Sequence, residues 1–363
     1  MLMNKMSLFF VGMNERFEVY LESMRFYKKK EVHIINVESI SEVKKFLSNV
    51  DDFFIFCNTD NLEKEWISSN YFKDKIIAVN LMDTPSKLWP DFIEEYYKYV
   101  RCVWHFFGNF KLIENTYGVK IEQKILDKEV SGIGYFPSFL TNKLTSFLKI
   151  KERENDIFFS GRLFYAGNTQ GRFNAVRSLR KRDDIKKIIN VYIDESEKRH
   201  NVYNEIKEEF SDLVNGWIER ERFLDILSKS KFSLSLFGNW HTGRFMESLS
   251  EGSIPICDNI DVLNYPGIKS GVSYISINEH WDDLNSFFDY LIDHRNEEFF
   301  EEMQKKLILA YKDFYQIDEN KVLPQKGFFE FLKRFENKVP ELKTFFKYGK
   351  SLEINQNKNR TLK

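Results

Sequence analysis

Short, continuously apolar runs alternate along the chain with longer segments in which apolar residues recur every three or four positions. In the first third the apolar runs fall at 7–12, 32–37, 52–58, 75–83 and 101–109. Such runs are typical of strands buried on both faces of a sheet, and the amphipathic segments of about 10 to 14 residues between them are typical of helices. The pattern predicts an open α/β sheet.

The alternation is interrupted once and then resumes. Gly132, Gly134 and Pro137 break the pattern, and the charged run 149–156 follows. Further apolar runs then alternate with helical patterns, and they fall at 156–162, 188–194, 232–238, 253–259 and 272–277. The pattern predicts two doubly wound α/β domains, 1–145 and 155–310, followed by C-terminal helices and a basic tail at 311–363. One interpretation of these helices is that they pack back on the first domain.

Length and charge agree with this division and narrow the function. A chain of 363 residues exceeds what one hydrophobic core usually organises. The 54 basic and 55 acidic residues give a net charge of −1. This balance lacks the basic excess expected of a protein that tracks nucleic acid, so we expect no nucleic-acid partner.

Cysteine usage and the two chain ends predict the compartment. Cys57, Cys102 and Cys257 each lie in an apolar run, which favours buried thiols in a reducing compartment. The apolar run near the N-terminus is too short for a signal peptide, so we expect a cytoplasmic protein. The segment 343–363 carries six basic residues and one acidic residue. Two interpretations stay open: peripheral contact with the inner membrane face, or a solvated tail.

The stretch from Ser230 to Asp261 carries the candidate chemistry. Its first strand runs into a loop and then a short helix, and the residues of interest there are Gly238, His241, Thr242, Gly243, Arg244 and Glu247. Ligands of open α/β sheets bind at the carboxyl ends of strands, and free N–H groups at a helix start favour an anion. Arg244 adds a guanidinium for phosphate, and Glu247 lies one turn further on the same helix face. The alternatives are a surface salt bridge for this pair and a solvated loop side chain for His241.

Gly161 and Arg162 end another predicted strand, the one at 156–162. Arg162, directly after this strand-end glycine, can reach a phosphate. The equally weighted alternative for Arg162 is a solvated loop side chain. We include both residues in the predicted nucleotide site.

The sequence "KSKFSLSLFGNWHTGRFMESLSEGSIPI" resembles the donor-binding segment of GT-B glycosyltransferases, particularly the exostosin-like type. The resemblance implies two Rossmann-like domains facing across a cleft, with acceptor binding in the first and nucleotide-sugar binding in the second. In such enzymes the arginine meets the donor diphosphate and the acidic residue binds the ribose. These roles correspond to Arg244 and Glu247, while Gly252 and Pro255 shape the turn into the next strand.

The same resemblance bears on mechanism. Many retaining GT-B enzymes carry two glutamates eight positions apart, but Asn239 stands eight residues before Glu247. This departure favours inversion, which needs a base on the acceptor hydroxyl. Two residues at strand ends of the first domain are candidates, Asp83 and His105. Asp83 is alternatively a helix N-cap before Thr84 and a proline, and His105 a core histidine.

The resulting expectation is a transfer of sugar from a nucleotide-sugar donor to a glycan or lipid-linked acceptor, in bacterial surface polysaccharide or lipopolysaccharide synthesis. We expect no cofactor and no metal, because arginine and backbone N–H groups can stabilise the leaving diphosphate. Two alternatives stay open. One is another enzyme on this scaffold, such as a nucleotide-sugar epimerase or a pyruvyl transferase. The other is a noncatalytic glycan-binding protein.

Overall fold

The computed structural model describes residues 6–13, 32–50, 52–80, 90–105, 109–131, 148–163, 169–193, 198, 203–214, 216–236, 243–261, 267–318, 321–324 and 333–345. The chain divides into two compact units. The first comprises residues up to 138 together with those from 321 onward, and the second comprises residues 139–320. Each unit is built around its own parallel sheet.

Six strands form the sheet of the first unit in the order β2-β1-β3-β4-β5-β6. Every neighbouring pair is parallel. The strands are β1 Met6–Val11, β2 Val32–Val37, β3 Phe53–Asn58, β4 Ile76–Asn80, β5 Cys102–His105 and β6 Glu129–Ser131. Nearly every residue of β1, β3, β4 and β5 is buried, which explains the continuous apolar runs.

Short helices connect these strands. They are α1 Ile40–Val43, α2 Lys64–Ile67, α3 Pro90–Tyr96, α4 Phe110–Tyr117 and α5 Gln123–Leu126. The segment 333–345 also packs on this unit. The Phe335 ring lies 6.3 Å from that of Phe56 and 5.8 Å from that of Trp104, and the Arg101 Nε donates to the Lys338 carbonyl at 2.7 Å. The first unit is therefore completed by residues from the far end of the chain.

Five parallel strands form the sheet of the second unit in the order β11-β10-β9-β7-β8. They are β7 Asn155–Arg162, β8 Lys187–Tyr192, β9 Ser230–Leu234, β10 Ile254–Cys257 and β11 Ile275–Ser276. The helices are α6 Thr169–Arg180, α7 Tyr203–Glu209, α8 Arg220–Ser228, α9 Gly243–Ser250, α10 Leu284–Ile292 and α11 Glu297–Phe314. The short strands β12 Tyr315–Asp318 and β13 Lys321–Pro324 follow in sequence.

The helix α9 ends in a turn that needs a glycine. Gly252 has a φ of 66°, in the left-handed region, and the Ser253 N–H donates to the Ser248 carbonyl at 3.0 Å. This six-to-one hydrogen bond is the Schellman motif, which closes the last turn of a helix. The motif directs the chain straight from α9 into β10.

A buried arginine, Arg153, connects the segments at the amino ends of the strands of the second sheet. The Arg153 guanidinium donates to the carbonyls of Leu227, Ser230 and Glu251 and, through Nε, of Leu148. These carbonyls belong to the end of α8, the start of β9 and the turn before β10. Burial lowers the pKa of Arg153 to about 10, because desolvation disfavours its charged form.

The three cysteines are free and buried, as predicted. In the described part of the chain, no helix combines the length and apolar character needed to cross a membrane. The basic tail from residue 346 onward lies outside the described residues, so the two interpretations of the tail stay open.

Candidate functional site

A cavity of about 430 Å³ opens at the carboxyl ends of β7, β8 and β9. Its walls include Gly161, Arg162, Arg172, Tyr192, Trp217 and Arg244. In doubly wound sheets this is the edge at which ligands bind, because the loops that follow parallel strands meet there. Three of its residues, Gly161, Arg162 and Arg244, belong to the nucleotide site predicted from the sequence.

Gly161 allows Arg244 to approach the end of β7. A Cβ atom at this position would lie 3.1 Å from the Arg244 Nη1, closer than ordinary van der Waals contact. The guanidinium carbon lies 5.4 Å from the ring centroid of Phe223 and 5.9 Å from that of Tyr192. Burial lowers the pKa of Arg244, while Glu247 and Tyr192 act in the opposite direction. A cation held against aromatic faces beside an open cavity is well placed to receive an anion.

Two further arginines line the cavity. Arg162 is exposed at the end of β7. Arg172, on α6, is buried, and it donates to the carbonyl of Arg162 at 2.9 Å and to the carbonyl of Leu236. Arg172 thereby joins the segments that follow β7 and β9. Three guanidinium groups around one cavity make it strongly cationic, and this chemistry suits a phosphate or diphosphate.

Trp217 adds an aromatic surface to the cavity. The indole is 76% exposed and stacks on Tyr192, with ring centroids 5.3 Å apart and an interplanar angle of 20°. The backbone beneath it is held in place, since the Asn190 side chain donates to the Gly216 carbonyl at 3.2 Å and the Ile218 N–H donates to the Tyr192 hydroxyl at 3.0 Å. An exposed indole on a fixed backbone offers a stacking surface to a planar ligand.

Glu247 lies on the same helix as Arg244, and its predicted contact with a ribose stays a prediction. Its carboxylate accepts a hydrogen bond from Arg220 at 3.2 Å, and it is buried. Among the described residues that line the cavity, Arg244 is present and Glu247 is not. Burial raises the pKa of Glu247, and Arg220 and Arg244 oppose this shift.

The remaining residues predicted for the donor site are located only in part. Gly243 is the first residue of α9, so the helix begins where the sequence predicts. Gly238, His241 and Thr242 lie outside the described residues, as does Asp83 in the first unit. Their proposed roles stay predictions.

His105, the second candidate base, is the last residue of β5 and is fully buried. The Asn80 side-chain nitrogen lies 3.2 Å from its Nδ1, and a Glu129 carboxylate oxygen lies 3.6 Å from its Nε2. Burial lowers the pKa of His105 to about 3, so the ring is neutral at pH 7. Nδ1 therefore has a hydrogen-bond partner, whereas Nε2 makes no hydrogen bond to the described residues. The surroundings of His105 are those of a core histidine. A catalytic role for His105 stays a prediction.

Glu129 is a partly buried acid, with its side chain 19% exposed, that the sequence analysis did not select. Its carboxylate accepts a hydrogen bond from the N–H of Phe110, the first residue of α4. Burial raises the pKa of Glu129 to about 7, while this hydrogen bond and the charge of Arg334 act in the opposite direction. His105, the last residue of β5, and Glu129, the first residue of the neighbouring strand β6, therefore form a titratable pair.

Within the described ranges, no group of three or more histidine, cysteine, aspartate or glutamate side chains is arranged to hold a metal ion. The cavity instead offers arginines, aromatic rings and backbone groups. That donor set suits an anionic organic ligand.

Comparisons with known proteins agree on the fold. No family model matches the sequence, and no curated protein matches it. A glycosyltransferase from Rickettsia africae is 12% identical with a TM-score of 0.55, and the match covers 94% of this chain and 99% of that one. Sucrose-phosphate synthase from Thermosynechococcus elongatus is 9% identical with a TM-score of 0.59, covering 94% and 100%. HepE from Anabaena, solved with UDP and glucose, is 9% identical with a TM-score of 0.54, covering 94% and 100%.

The chain has the GT-B fold, with two parallel, doubly wound α/β units, as the sequence predicted. The exostosin-like assignment stays a prediction. At these identities the likeness concerns the fold alone, so the function depends on the chemistry of the cavity.

Proposed function

We propose that the protein is an inverting glycosyltransferase that uses a nucleotide-sugar donor and a glycan or lipid-linked acceptor. The observation that carries this proposal is the cavity of the second unit, where Arg162 and Arg244 lie beside the exposed face of Trp217. A nucleoside diphosphate has the matching parts, namely two phosphates and a planar base. The fold supports the proposal, since HepE has the same fold and its structure holds UDP and glucose.

The diphosphate and the base of the donor have counterparts among the residues that line the cavity. Arg162 and Arg244 bind the diphosphate, with bidentate geometry available at each guanidinium. Trp217, supported by Tyr192, stacks on the base. Glu247 binds the ribose hydroxyls, as the sequence resemblance implies. The acceptor class and the role in bacterial surface polysaccharide or lipopolysaccharide synthesis rest on that resemblance.

In the proposed reaction the acceptor oxygen attacks the anomeric carbon as the bond to the diphosphate oxygen breaks. The acceptor proton passes to a base, and the negative charge on the leaving diphosphate is stabilised by Arg162 and Arg244. This arrangement needs no metal cation, so we expect activity to persist in the presence of EDTA. We propose Asp83 as the base, because His105 is fully buried at the end of β5.

The direct test is nucleotide binding. UDP, GDP and CMP are added separately to the full chain and the melting temperature is recorded, because a ligand that binds the folded state stabilises it by mass action. UDP is the first choice, because HepE was solved with it. We expect one nucleotide to raise the melting temperature, and the corresponding nucleotide-sugar to release that nucleotide when acceptor is present.

The result that would overturn the proposal is an absence of nucleotide binding at millimolar concentration, which would favour a noncatalytic glycan-binding protein. Binding without release of free nucleotide would instead favour an epimerase. Anomeric configuration of the product, read by NMR, separates inversion from retention.

The base is tested by Asp83→Asn. We expect turnover to fall by about 10²- to 10⁴-fold with nucleotide affinity unchanged, because a general base acts only in the transition state. Thr84→Ser, a conservative change at the next position along the chain, is the matched control. Unchanged turnover in Asp83→Asn would exclude Asp83 and direct the search to His105.

A further inference from the structure

Arg172 combines two properties that other arginines of the second unit show separately. It lines the cavity, as Arg162 and Arg244 do, and its guanidinium donates to backbone carbonyls, as that of Arg153 does. The residue is only 5% exposed. A buried arginine that binds carbonyls in the wall of a ligand cavity can determine the shape of that wall.

The two carbonyls belong to the segments at the carboxyl ends of two neighbouring strands. Nη1 donates at 2.9 Å to Arg162, the last residue of β7, and Nη2 donates to Leu236, two residues after the end of β9. The paired register of the two strands extends to Phe158 and Ser233. Arg172 therefore bridges the two segments beyond that point, where both of them line the cavity.

A guanidinium suits this bridge better than an ammonium does. Its two Nη groups lie in one rigid plane, so the carbonyls that they bind are held at a fixed separation. Arg172 is the fourth residue of α6, a helix whose Phe173, Val176 and Leu179 are buried. A lysine has the same charge, but it has a single ammonium on a flexible stem. Arg172→Lys therefore removes the bridge and keeps the charge.

Both other cations of the cavity depend on the end of β7 that this bridge holds. Arg162 is the residue whose carbonyl is bound. Arg244 packs against Gly161, since a Cβ atom there would lie 3.1 Å from its Nη1. A shift at the end of β7 would therefore move Arg162 directly and alter the surface against which Arg244 lies.

We propose that Arg172 is a positioning residue, which fixes the spacing of the carboxyl ends of β7 and β9 and thereby holds Arg162 and Arg244 where both can bind one diphosphate. This role rests on the proposed function, because it assigns the diphosphate of the donor to those two arginines. The Nη groups of Arg172 donate to the backbone, so its effect on binding passes through the geometry of the cavity wall.

The test uses calorimetric titration of the full chain with UDP and with inorganic pyrophosphate, which carries two phosphates without a base or a sugar. The variants are Arg172→Lys and Arg172→Gln, each also made in the Arg162→Ala background. Arg177→Lys is the control, because Arg177 lies on the same helix, binds Glu209 and is not among the described residues that line the cavity. Melting temperatures establish that every variant is folded.

We expect Arg172→Lys and Arg172→Gln to weaken the binding of both ligands by about tenfold, since a displaced guanidinium loses a charge-assisted contact. In the Arg162→Ala background, Arg172→Lys should cost about threefold less than it does alone, because part of its effect passes through the Arg162 side chain. Arg177→Lys should bind both ligands as wild type does, even where its melting temperature falls.

Four results with a wild type that binds would overturn the inference. Wild-type affinity in Arg172→Lys would show that charge, and not the bridge, supports binding. An equal loss with and without the Arg162 side chain would show that Arg172 acts as an independent ligand. An equal loss in Arg177→Lys would assign the effect to the stability of α6. Loss of folding in both Arg172 variants would place Arg172 with Arg153, among the residues that stabilise the fold.

The proposed function fails in a different way. Failure of the wild-type protein to bind either UDP or pyrophosphate would overturn the proposed function and this inference together. That result is distinguishable from the other four, because in each of them the wild-type protein still binds.

Discussion

Arg153 lies at the amino ends of the strands of the five-stranded sheet, and Arg244 lies at their carboxyl ends. The two arginines have different roles. At the amino edge, Arg153 is surrounded by four backbone carbonyls, which take up its hydrogen-bonding capacity. At the carboxyl edge, Arg244 lies against aromatic rings and lines an open cavity. The difference separates a charge that stabilises the fold from a charge that is available to a ligand.

The largest expected effect is a loss of stability when Arg153, at the amino ends of the strands, is replaced. Arg153→Met removes a donor from four carbonyls in a buried place, of which the Leu148 carbonyl keeps a hydrogen bond from Gln304, so we expect the free energy of unfolding of the second unit to fall by about 3 to 5 kcal/mol. Urea denaturation measures this, with the exposed Arg222→Met as the control. Nucleotide affinity of the folded protein should not change. Equal denaturation midpoints for the two variants would show that the contacts of Arg153 contribute little.

Replacing Arg244, at the carboxyl ends of the strands, should reduce ligand affinity and not stability. Arg244→Ala is expected to weaken UDP binding by about 100-fold, which corresponds to about 2.7 kcal/mol, because a charge-assisted bidentate contact with the diphosphate is lost. Stability should be unchanged or higher, since a desolvated cation is removed. Calorimetry and urea denaturation give the two quantities. A loss of stability with full affinity would place Arg244 in the same class as Arg153.

Glu129, a partly buried acid in the first unit, extends the comparison to a charge of opposite sign. Burial raises the folded pKa of Glu129 to about 7, above its unfolded value, so the native state holds an extra proton between the two values. The contribution of the protonated Glu129 to the free energy of unfolding is present at low pH and is lost as the pH rises through about 7. Glu129→Gln should therefore gain about 2 kcal/mol relative to wild type between pH 5 and pH 7.

The free energy of unfolding of Glu129→Gln must be compared with that of wild type at the same pH. His105 has a folded pKa lowered to about 3, so it makes the stability of both proteins rise as the pH increases from about 3 to its unfolded pKa. The difference between Glu129→Gln and wild type removes the part of this contribution that does not depend on Glu129, and because the two side chains are 3.6 Å apart it also includes their mutual interaction. A difference that does not vary with pH would show that Glu129 keeps its ordinary pKa.

The smallest effect is expected at the aromatic side of the cavity. Trp217→Ala should weaken UDP binding by about tenfold, because stacking of a base on an aromatic ring is worth about 1 to 3 kcal/mol. Trp217→Phe should keep most of the affinity. Tyr71→Ala is the control, since Tyr71 is 67% exposed in the first unit. Binding that is equally strong in Trp217→Ala would exclude the indole from the site.

Much of the fold was predictable because buried parallel strands leave a strong local signal. The apolar run 32–37 coincides with β2, and the runs at 156–162 and 188–194 match β7 and β8 to within one or two residues. The strand β6, Glu129–Ser131, is too short to show a pattern and was not predicted. The run 272–277 was predicted as a strand, but only Ile275–Ser276 pairs with β10.

The candidate site was predictable where its residues lie at a strand end or at the start of the helix that follows a strand. Gly161 and Arg162 were selected at the end of one predicted strand and Arg244 at the start of the helix after another, and all three line the cavity. Trp217 and Arg172 were missed because their importance depends on partners 25 and 64 residues away, Tyr192 and Leu236. A tryptophan directly after a glycine in a polar loop, Gly216-Trp217, is the one local signal that was present.

The return of residues 333–345 to the first unit affects how the protein can be made. Phe335 covers Phe56 and Trp104, yet it is synthesised about 230 residues after Trp104. During synthesis on the ribosome, the apolar surface formed by Phe56 and Trp104 stays uncovered until Phe335 is translated. The whole second unit is translated in that interval and is free to fold. We therefore expect the later-synthesised unit to reach its final structure before the earlier one.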